Sequence, residues 1–287
     1  MIGIVIAIIS AIFMTGMEIA LKKSYKELDP SVAFFFDMLF GLILWIPLGF
    51  IFGARINSII ECIPYAIISA ILSEALVFYA LSKGNLSITT VLISTYPIYT
   101  LLFSMIINSE RLNYLQIILI LVTLVGTILT SISSDFKLKN IKNIAVLIPL
   151  FTAVAVGLSD TLTKGIINKT SSFDFLVAIA LVQIPVSILY LIITKEKMML
   201  IIKNVKNGIV EYKYSILGSL LNVLGTGCLL VSFNYTYASI ASPLTALYTP
   251  FVLIYSIFVL KEKSNKINYI GIILALIGAF GIMITGN

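Results

Sequence analysis

"YALSKGNLSITTVLISTYPIYTLLFSMIINSERLNYLQIILILVTLVGTIL", residues 79–129, has a second copy of its pattern in "SFNYTYASIASPLTALYTPFVLIYSIFVLKEKSNKINYIGIILALIGAFGIM", residues 232–283. Pro97 falls opposite Pro250, an acid follows near each helix end at Glu110 and Glu262, and a glycine-bearing apolar run closes each copy. Earlier, "GMEIALKK" (16–23) matches "GLSDTLTK" (157–164), each with glycine first, lysine last and an acid between. Weak internal repetition of this kind is common where two copies of one unit build a single membrane protein.

Composition says what the unit is. Of 287 residues, 60% are hydrophobic and only 11% charged, far outside the range of soluble domains. The apolar runs are about 20 residues long, which at ~1.5 Å per residue matches a hydrocarbon core of roughly 30 Å. The spans are therefore helices rather than barrel strands. Turn residues divide the chain into ten runs, at 2–21, 32–52, 63–82, 86–107, 114–132, 144–167, 174–194, 215–235, 239–260 and 267–285. Five spans per copy is an odd number, so the second copy enters the membrane in the opposite sense. The expected fold is an all-α polytopic membrane protein of ten transmembrane helices, arranged as two inverted five-helix repeats over 1–135 and 143–287. The first run has no basic segment before it and is long enough to span, so a cleaved signal peptide is not expected.

Several function classes drop out. The net charge of +6 comes from lysines scattered through short connections, with no basic domain to hold a nucleic acid. There is no histidine, which removes the usual zinc ligand, general base and proton switch. Cys62 and Cys228 lack CxxC spacing and read as small apolar residues. No catalytic residue, metal or cofactor is called for, and the partners expected are the lipid bilayer and a small-molecule substrate.

The layout, the duplicated "ALSKGNLSITTVLISTYP" and "TYASIASPLTALYTP", the following "SERLNYLQ" and "KEKSNKINYIG", and the terminal "GIILALIGAFGIM" resemble the EamA branch of the drug/metabolite transporter superfamily. The resemblance covers nearly the whole chain and rests on loose patterns. It implies a carrier for small metabolites, commonly an exporter in the cytoplasmic membrane, with a central cavity between two five-helix halves. It does not imply a substrate.

Orientation can be read from the basic residues. The connections after spans 1, 3, 5, 7 and 9 hold fifteen of the nineteen, among them Lys22, Lys23, Lys137, Lys139, Lys142, Lys203 and Lys263; the other face holds Arg55, Arg111, Lys164 and Lys169. The positive-inside rule puts the first set in the cytoplasm and both termini outside. The family resemblance implies the reverse. Within 195–213, Met198, Ile201, Ile202, Val205 and Ile209 recur at helical spacing, which suits either a helix along the headgroups or a polar loop with some apolar residues.

Four acids fall inside spans: Glu74, Glu18, Asp160 and Asp37. A charge at mid-bilayer costs ~2.5–3.5 kcal/mol on the lenient insertion scale, so such residues face a cavity or a partner. Glu74 lies nearest the centre of its span with no cation within a helical turn, and protonation is its simplest relief, which makes it the leading proton or cation carrier. Glu18 and Asp160 each have a lysine four residues on, Lys22 and Lys164, so either an ordinary i,i+4 pair or a repeated functional site fits them. Asp37 sits about one turn into its span and can simply reach the interface. Carboxylates with few deep lysines favour a cationic or zwitterionic passenger.

Pro97 and Pro250 supply matched kinks, each withholding an N–H from the carbonyl four residues earlier, Ile93 and Ala246. Backbone freed at membrane depth is tolerated where it lines a cavity, and a packing kink is the plain alternative. Tyr79, Tyr96, Tyr99, Tyr235 and Tyr248 can cage an ammonium by cation–π attraction or anchor at the interface. Asn222 needs a hydrogen bond at depth, while Gly218, Gly225 and Gly227 beside it let another helix approach. Gly126, Gly271, Gly278 and Gly281 mark peripheral final spans with no buried charge, free to pack on another protomer as a homodimer. Two rival readings remain: a receptor or assembly protein without transport, and an intramembrane aspartyl protease using Asp37 and Asp160, whose "GLSD" departs from the Gly-x-Gly-Asp pattern.

Overall fold

The computed structural model describes residues 1–83, 86–131, 144–261 and 264–285. The repeat limits at 135 and 143, Lys137, Lys139, Lys142, Glu262 and Lys263 lie outside the described residues. Fourteen α-helices follow in chain order: α1 Ile2–Ser24, α2 Pro30–Ile51, α3 Ile56–Ser69, α4 Leu76–Lys83, α5 Leu86–Ile93, α6 Tyr96–Ile107 and α7 Tyr114–Ser131 in the first half; then α8 Ile144–Ile167, α9 Ser172–Thr194, α10 Met198–Lys206, α11 Val210–Ser232, α12 Ala238–Thr245, α13 Tyr248–Phe258 and α14 Lys266–Thr285. Ten helical stretches among the described residues are long and apolar enough to cross a membrane.

Local chemistry explains most boundaries. Asp29 accepts the Ser31 N–H at 2.9 Å, with Pro30 in the first turn where its missing N–H costs nothing. Ser171 starts α9 by accepting the Asp174 N–H. Span 3 begins at Ile56, earlier than expected: Pro64 lies inside α3 and does not start it, and the exposed Glu61 falls within the helix. Span 8 likewise starts at Val210, its first turn carrying Glu211 where the helix dipole favours an acid. Residues 198–206 do form a helix. Ile201 is buried and Val205 packs on the cluster around Phe35 and Tyr212, while Met199 is 84% exposed.

The halves interleave rather than sit side by side. α1 packs along α11, α2 along α9, α6 on both α8 and α12, and α7 along α14. α7 and α14 approach so closely that a Cβ added to Gly126 would lie 2.2 Å from the Ala275 nitrogen. The glycines of the final spans are thus used against each other, and it is the opposite faces, such as Ile118, Leu121, Ile273 and Ile277, that remain exposed. Their termini match across the pseudo-symmetry: Asn113 and Gln116 cap α7 reciprocally at 2.8 and 3.0 Å, and Asn265 and Asn268 do the same for α14 at 2.8 and 3.3 Å.

Candidate functional site: a carboxylate-lined cavity between the halves

Both kinked spans are broken helices. Span 4 interrupts at a turn over Ser94–Thr95 between α5 and α6, and span 9 at Ala246–Leu247 between α12 and α13, with Pro97 and Pro250 early in each second segment. The Ala246 carbonyl freed by Pro250 needs a partner at this depth and has one nearby. It accepts the Thr249 N–H at 3.2 Å and the Thr249 hydroxyl at 3.1 Å, so a nearby side chain repairs the ladder. Span 3 is irregular too: residues Ala70–Ala75 form a π-helical segment, a wider winding frequently found at functional sites, and Glu74 lies in it.

Between the halves lies a cavity of about 190 Å³. α1 presents Met14, Met17, Glu18 and Leu21, at positions i, i+3, i+4 and i+7 and hence on one face, and Tyr25 at its C-cap continues it. The π-helical segment and α4 add Ser73, Glu74, Val77 and Phe78; Tyr96, Asp160, Asn222, Thr226 and Tyr248 are among the other polar lining residues. Among the described residues no lysine or arginine lines it.

Each acid has its own setting. Glu74 accepts from the Gln183 side-chain amide. Asp160 accepts from the Ser242 hydroxyl at 2.7 Å and Thr100 at 3.5 Å, while Tyr96 donates to the Ser242 carbonyl at 3.4 Å. The i,i+4 pairing open to Asp160 is not made: Lys164 instead donates to the Phe233 carbonyl at the end of α11, a position where the helix dipole favours a cation. Lys22 is exposed, and its neighbour Lys23 lies 4.9 Å from the Tyr214 ring centre. Asp37 corrects its expected placement near the interface. It is 2% exposed and accepts from Asn222 at 2.9 Å, in a layer behind the cavity wall, because α2 begins at Pro30 and carries it two turns in.

Three of the tyrosines expected as lining are elsewhere. Tyr79 packs with Leu21, Phe34, Phe78 and Tyr190; Tyr99 lies against α8, where a Cβ on Gly157 would stand 2.6 Å from its own; and Tyr235, 54% exposed, sits in the turn between α11 and α12. Asp37 and Asp160, the pair an aspartyl protease would use, have separate partners in Asn222 and Ser242.

Two residues escaped the sequence reading. Gln183, a lone amide in "LVQIPV", carries the same cost in lipid as Asn222 and was legible on that ground. Glu110 looks like a loop acid, yet it is 5% exposed and its carboxylate accepts the Ala238 and Ser239 N–H groups at 3.0 and 3.1 Å and the Ser239 hydroxyl. An acid from the first half thereby caps a broken helix of the second.

An all-helical ten-span bundle of two repeats, with a polar cavity where they meet, is the framework of a membrane carrier. Residues 1–132 and 143–284 match the EamA-like transporter family, and the chain belongs to that family: it is an integral membrane transporter of the drug/metabolite transporter superfamily. The uncharacterised protein MJ1333.1 of Methanocaldococcus jannaschii is 31% identical over 135 residues, which cover 46% of this chain and 98% of that one, so the relative is the size of a single half. A solved crystal structure of a protein overlays 99% of this chain and 96% of its own at a TM-score of 0.77 and 12% identity, a likeness of fold alone.

Proposed function

We propose that the chain exports a small cationic or zwitterionic metabolite, such as an amine or amino acid, across the cytoplasmic membrane. The observation that carries this is the charge of the cavity wall: Glu18, Glu74 and Asp160 line it, and no basic side chain does among the described residues. A cation entering such a hollow replaces its hydration with carboxylate oxygens, whereas an anion meets only like charge in a low-dielectric setting. Tyr96 and Tyr248 add aromatic faces for an ammonium, and the apolar wall from Met14 to Phe78 takes a hydrocarbon portion.

Movement follows by alternating access, the two halves rocking about the cavity with the breaks at Ser94–Thr95 and Ala246–Leu247 absorbing the bend. Glu74 gives the carrier a place to couple to a cation gradient. By the charge count, the lysine-rich connections face the cytoplasm. A reporter fused after residue 287 and active only in the cytoplasm would reverse that orientation.

The test is a thermal-shift screen of amines, amino acids, nucleotides and organic anions on purified protein, followed by flux of the hits in vesicles. A ligand that binds only the folded state raises the melting point. Amines or amino acids are expected to raise it and to be moved. Movement of organic anions with no response to amines would overturn the assignment.

A further inference from the structure

The short helix α10 joins the end of α9 to the start of α11, two helices long and apolar enough to cross the membrane, so it is held at the edge of the bilayer. Its inner side is fixed. Ile201 is buried and Val205 packs in the same cluster with Phe35 and Tyr212, and the Asn204 side-chain amide donates to the Tyr212 hydroxyl at 3.1 Å. Its outer side is open. Met199, Lys203 and Lys206 stand there at i, i+4 and i+7, all exposed, with exposed Leu200 and Ile202 to either side of them. A face that mixes apolar side chains with lysines suits neither bulk water nor the hydrocarbon core.

The surroundings carry charge of one sign. Residues 22–29 and 195–213 hold eight lysines and four acids. All eight lysines are exposed, whereas of the acids only Glu27 is; Asp29, Glu196 and Glu211 are partly covered, and Asp29 is engaged as the cap of α2. Contacts bring the two segments to one end of the bundle: Tyr212 at the start of α11 holds α10 through Asn204, and two residues on the Tyr214 ring has Lys23 Nζ 4.9 Å from its centre. Positive charge at this corner is thus presented outward with little exposed acid beside it.

We propose that the outer face of α10, with the lysines around it, is a docking surface for the headgroups of acidic phospholipids in the membrane that holds the chain. Met199, Leu200 and Ile202 enter the boundary between headgroups and acyl chains, while the Lys203 and Lys206 ammonium groups reach the phosphates on their flexible stems. Roughly four to eight basic residues on an amphipathic helix beside a span are the pattern by which acidic lipids are held, and each strengthens the attraction about fivefold. Neutral lipid would satisfy the apolar side chains alone, and a soluble acidic partner the lysines alone. The headgroup layer of an acidic membrane satisfies both.

The docking surface is independent of the passenger and its direction of travel, and lipid contact tests it directly. Full-length protein with Cys62→Ala and Cys228→Ala takes one dye at Met199→Cys or, as a control in the turn at the far end of α11, at Tyr235→Cys. Each is placed in vesicles of phosphatidylcholine and phosphatidylglycerol of one composition, in which either the phosphatidylglycerol or an equal share of the phosphatidylcholine carries bromine, a quencher, on its chains. Stronger quenching by phosphatidylglycerol is expected at 199 and not at 235, weakening as salt screens the charge. Lys203→Gln with Lys206→Gln should lower that preference by about fivefold or more and leave the melting point unaltered, since both side chains are exposed. Protein with its own cysteines gives a second readout: extracted from the same vesicles and weighed intact, it should retain phosphatidylglycerol over phosphatidylcholine, and the double lysine variant should lose that excess. Equal quenching by both lipids at 199, or a preference untouched by salt and by the double substitution, overturns the site and leaves α10 in ordinary lipid contact. No quenching by either lipid overturns it as well and leaves the lysines to a soluble acidic partner.

Discussion

Glu110→Ala should cost more than any single change in the cavity wall, and the structure says why. The carboxylate satisfies two backbone N–H groups and one hydroxyl at the start of α12, on Ala238 and Ser239, both fully buried. Removing it leaves the two backbone donors without partners, each worth ~1–3 kcal/mol, and the sum of about 2–6 kcal/mol exceeds the ~0.5–2 kcal/mol of an ordinary cap because the site is buried. Glu110→Gln keeps one acceptor oxygen at the same length and should lose about half as much. Because the loop before α7 belongs to one half and α12 to the other, the loss is also a loss of grip between halves. The assay is unfolding of the purified protein in detergent, by heat and by denaturant. A cost below ~1 kcal/mol for alanine would mean water replaces the carboxylate, and a glutamine variant as unstable as alanine would mean that the cap is not what holds it.

Other outcomes follow from the same packing. Gly126→Leu should lower the melting point by an overpacking cost of ~1–3 kcal/mol or more, since even a Cβ there meets the Ala275 backbone at 2.2 Å; an unchanged melting point would show that α7 and α14 are not in contact. Asp160→Asn should keep the fold, because an amide oxygen still accepts from Ser242, yet weaken amine binding at least tenfold; unaltered amine affinity in the thermal-shift titration would remove Asp160 from the site. Lys164→Met should destabilise by ~1–3 kcal/mol through the orphaned Phe233 carbonyl while leaving passenger affinity alone, whereas a change in affinity without a change in unfolding would restore the Asp160 pairing.

The spans were legible because the bilayer leaves so little choice. A helix must satisfy its own backbone in hydrocarbon, so about 20 apolar residues between turn signals can do only one thing, and both proline breaks followed from a missing N–H. What could not be read was depth and facing. Tyr235 and Tyr248 look alike in sequence, but one falls in a turn and the other on the cavity wall. Asp160 and Lys164 stand at a spacing that permits a pair, and spacing cannot report that the Phe233 carbonyl competes for the ammonium group. Asp37 seemed interfacial only because its span was drawn as starting at residue 32, when the cap at Asp29 and Pro30 begins the helix earlier. Glu110 stands out in sequence only as a mark of the repeat, and its capping role was hidden for a different reason: its partners are 128 and 129 residues away, a contact that local pattern does not encode.

The repeat itself explains how one scaffold bears an uneven site. Its outer parts keep the symmetry: Gln116 reaches the Thr285 carbonyl at the end of α14, and Asn268 reaches the Leu129 and Thr130 carbonyls at the end of α7, so the two final helices clasp each other at both ends. Its inner parts break it. In "GMEIALKK" the acid is the third residue and in "GLSDTLTK" the fourth, and one position on a helix is a rotation of ~100°. That step turns Asp160 toward Ser242 and Thr100, where protein hydroxyls hold it, and leaves Glu18 on the face of α1 that carries Met14, Leu21 and Tyr25 into the cavity. Matched helices can rock as equals while presenting one acid already bound to the wall and another open to a passenger, and a molecule with a charged end and an apolar end needs a pocket that is uneven in this way.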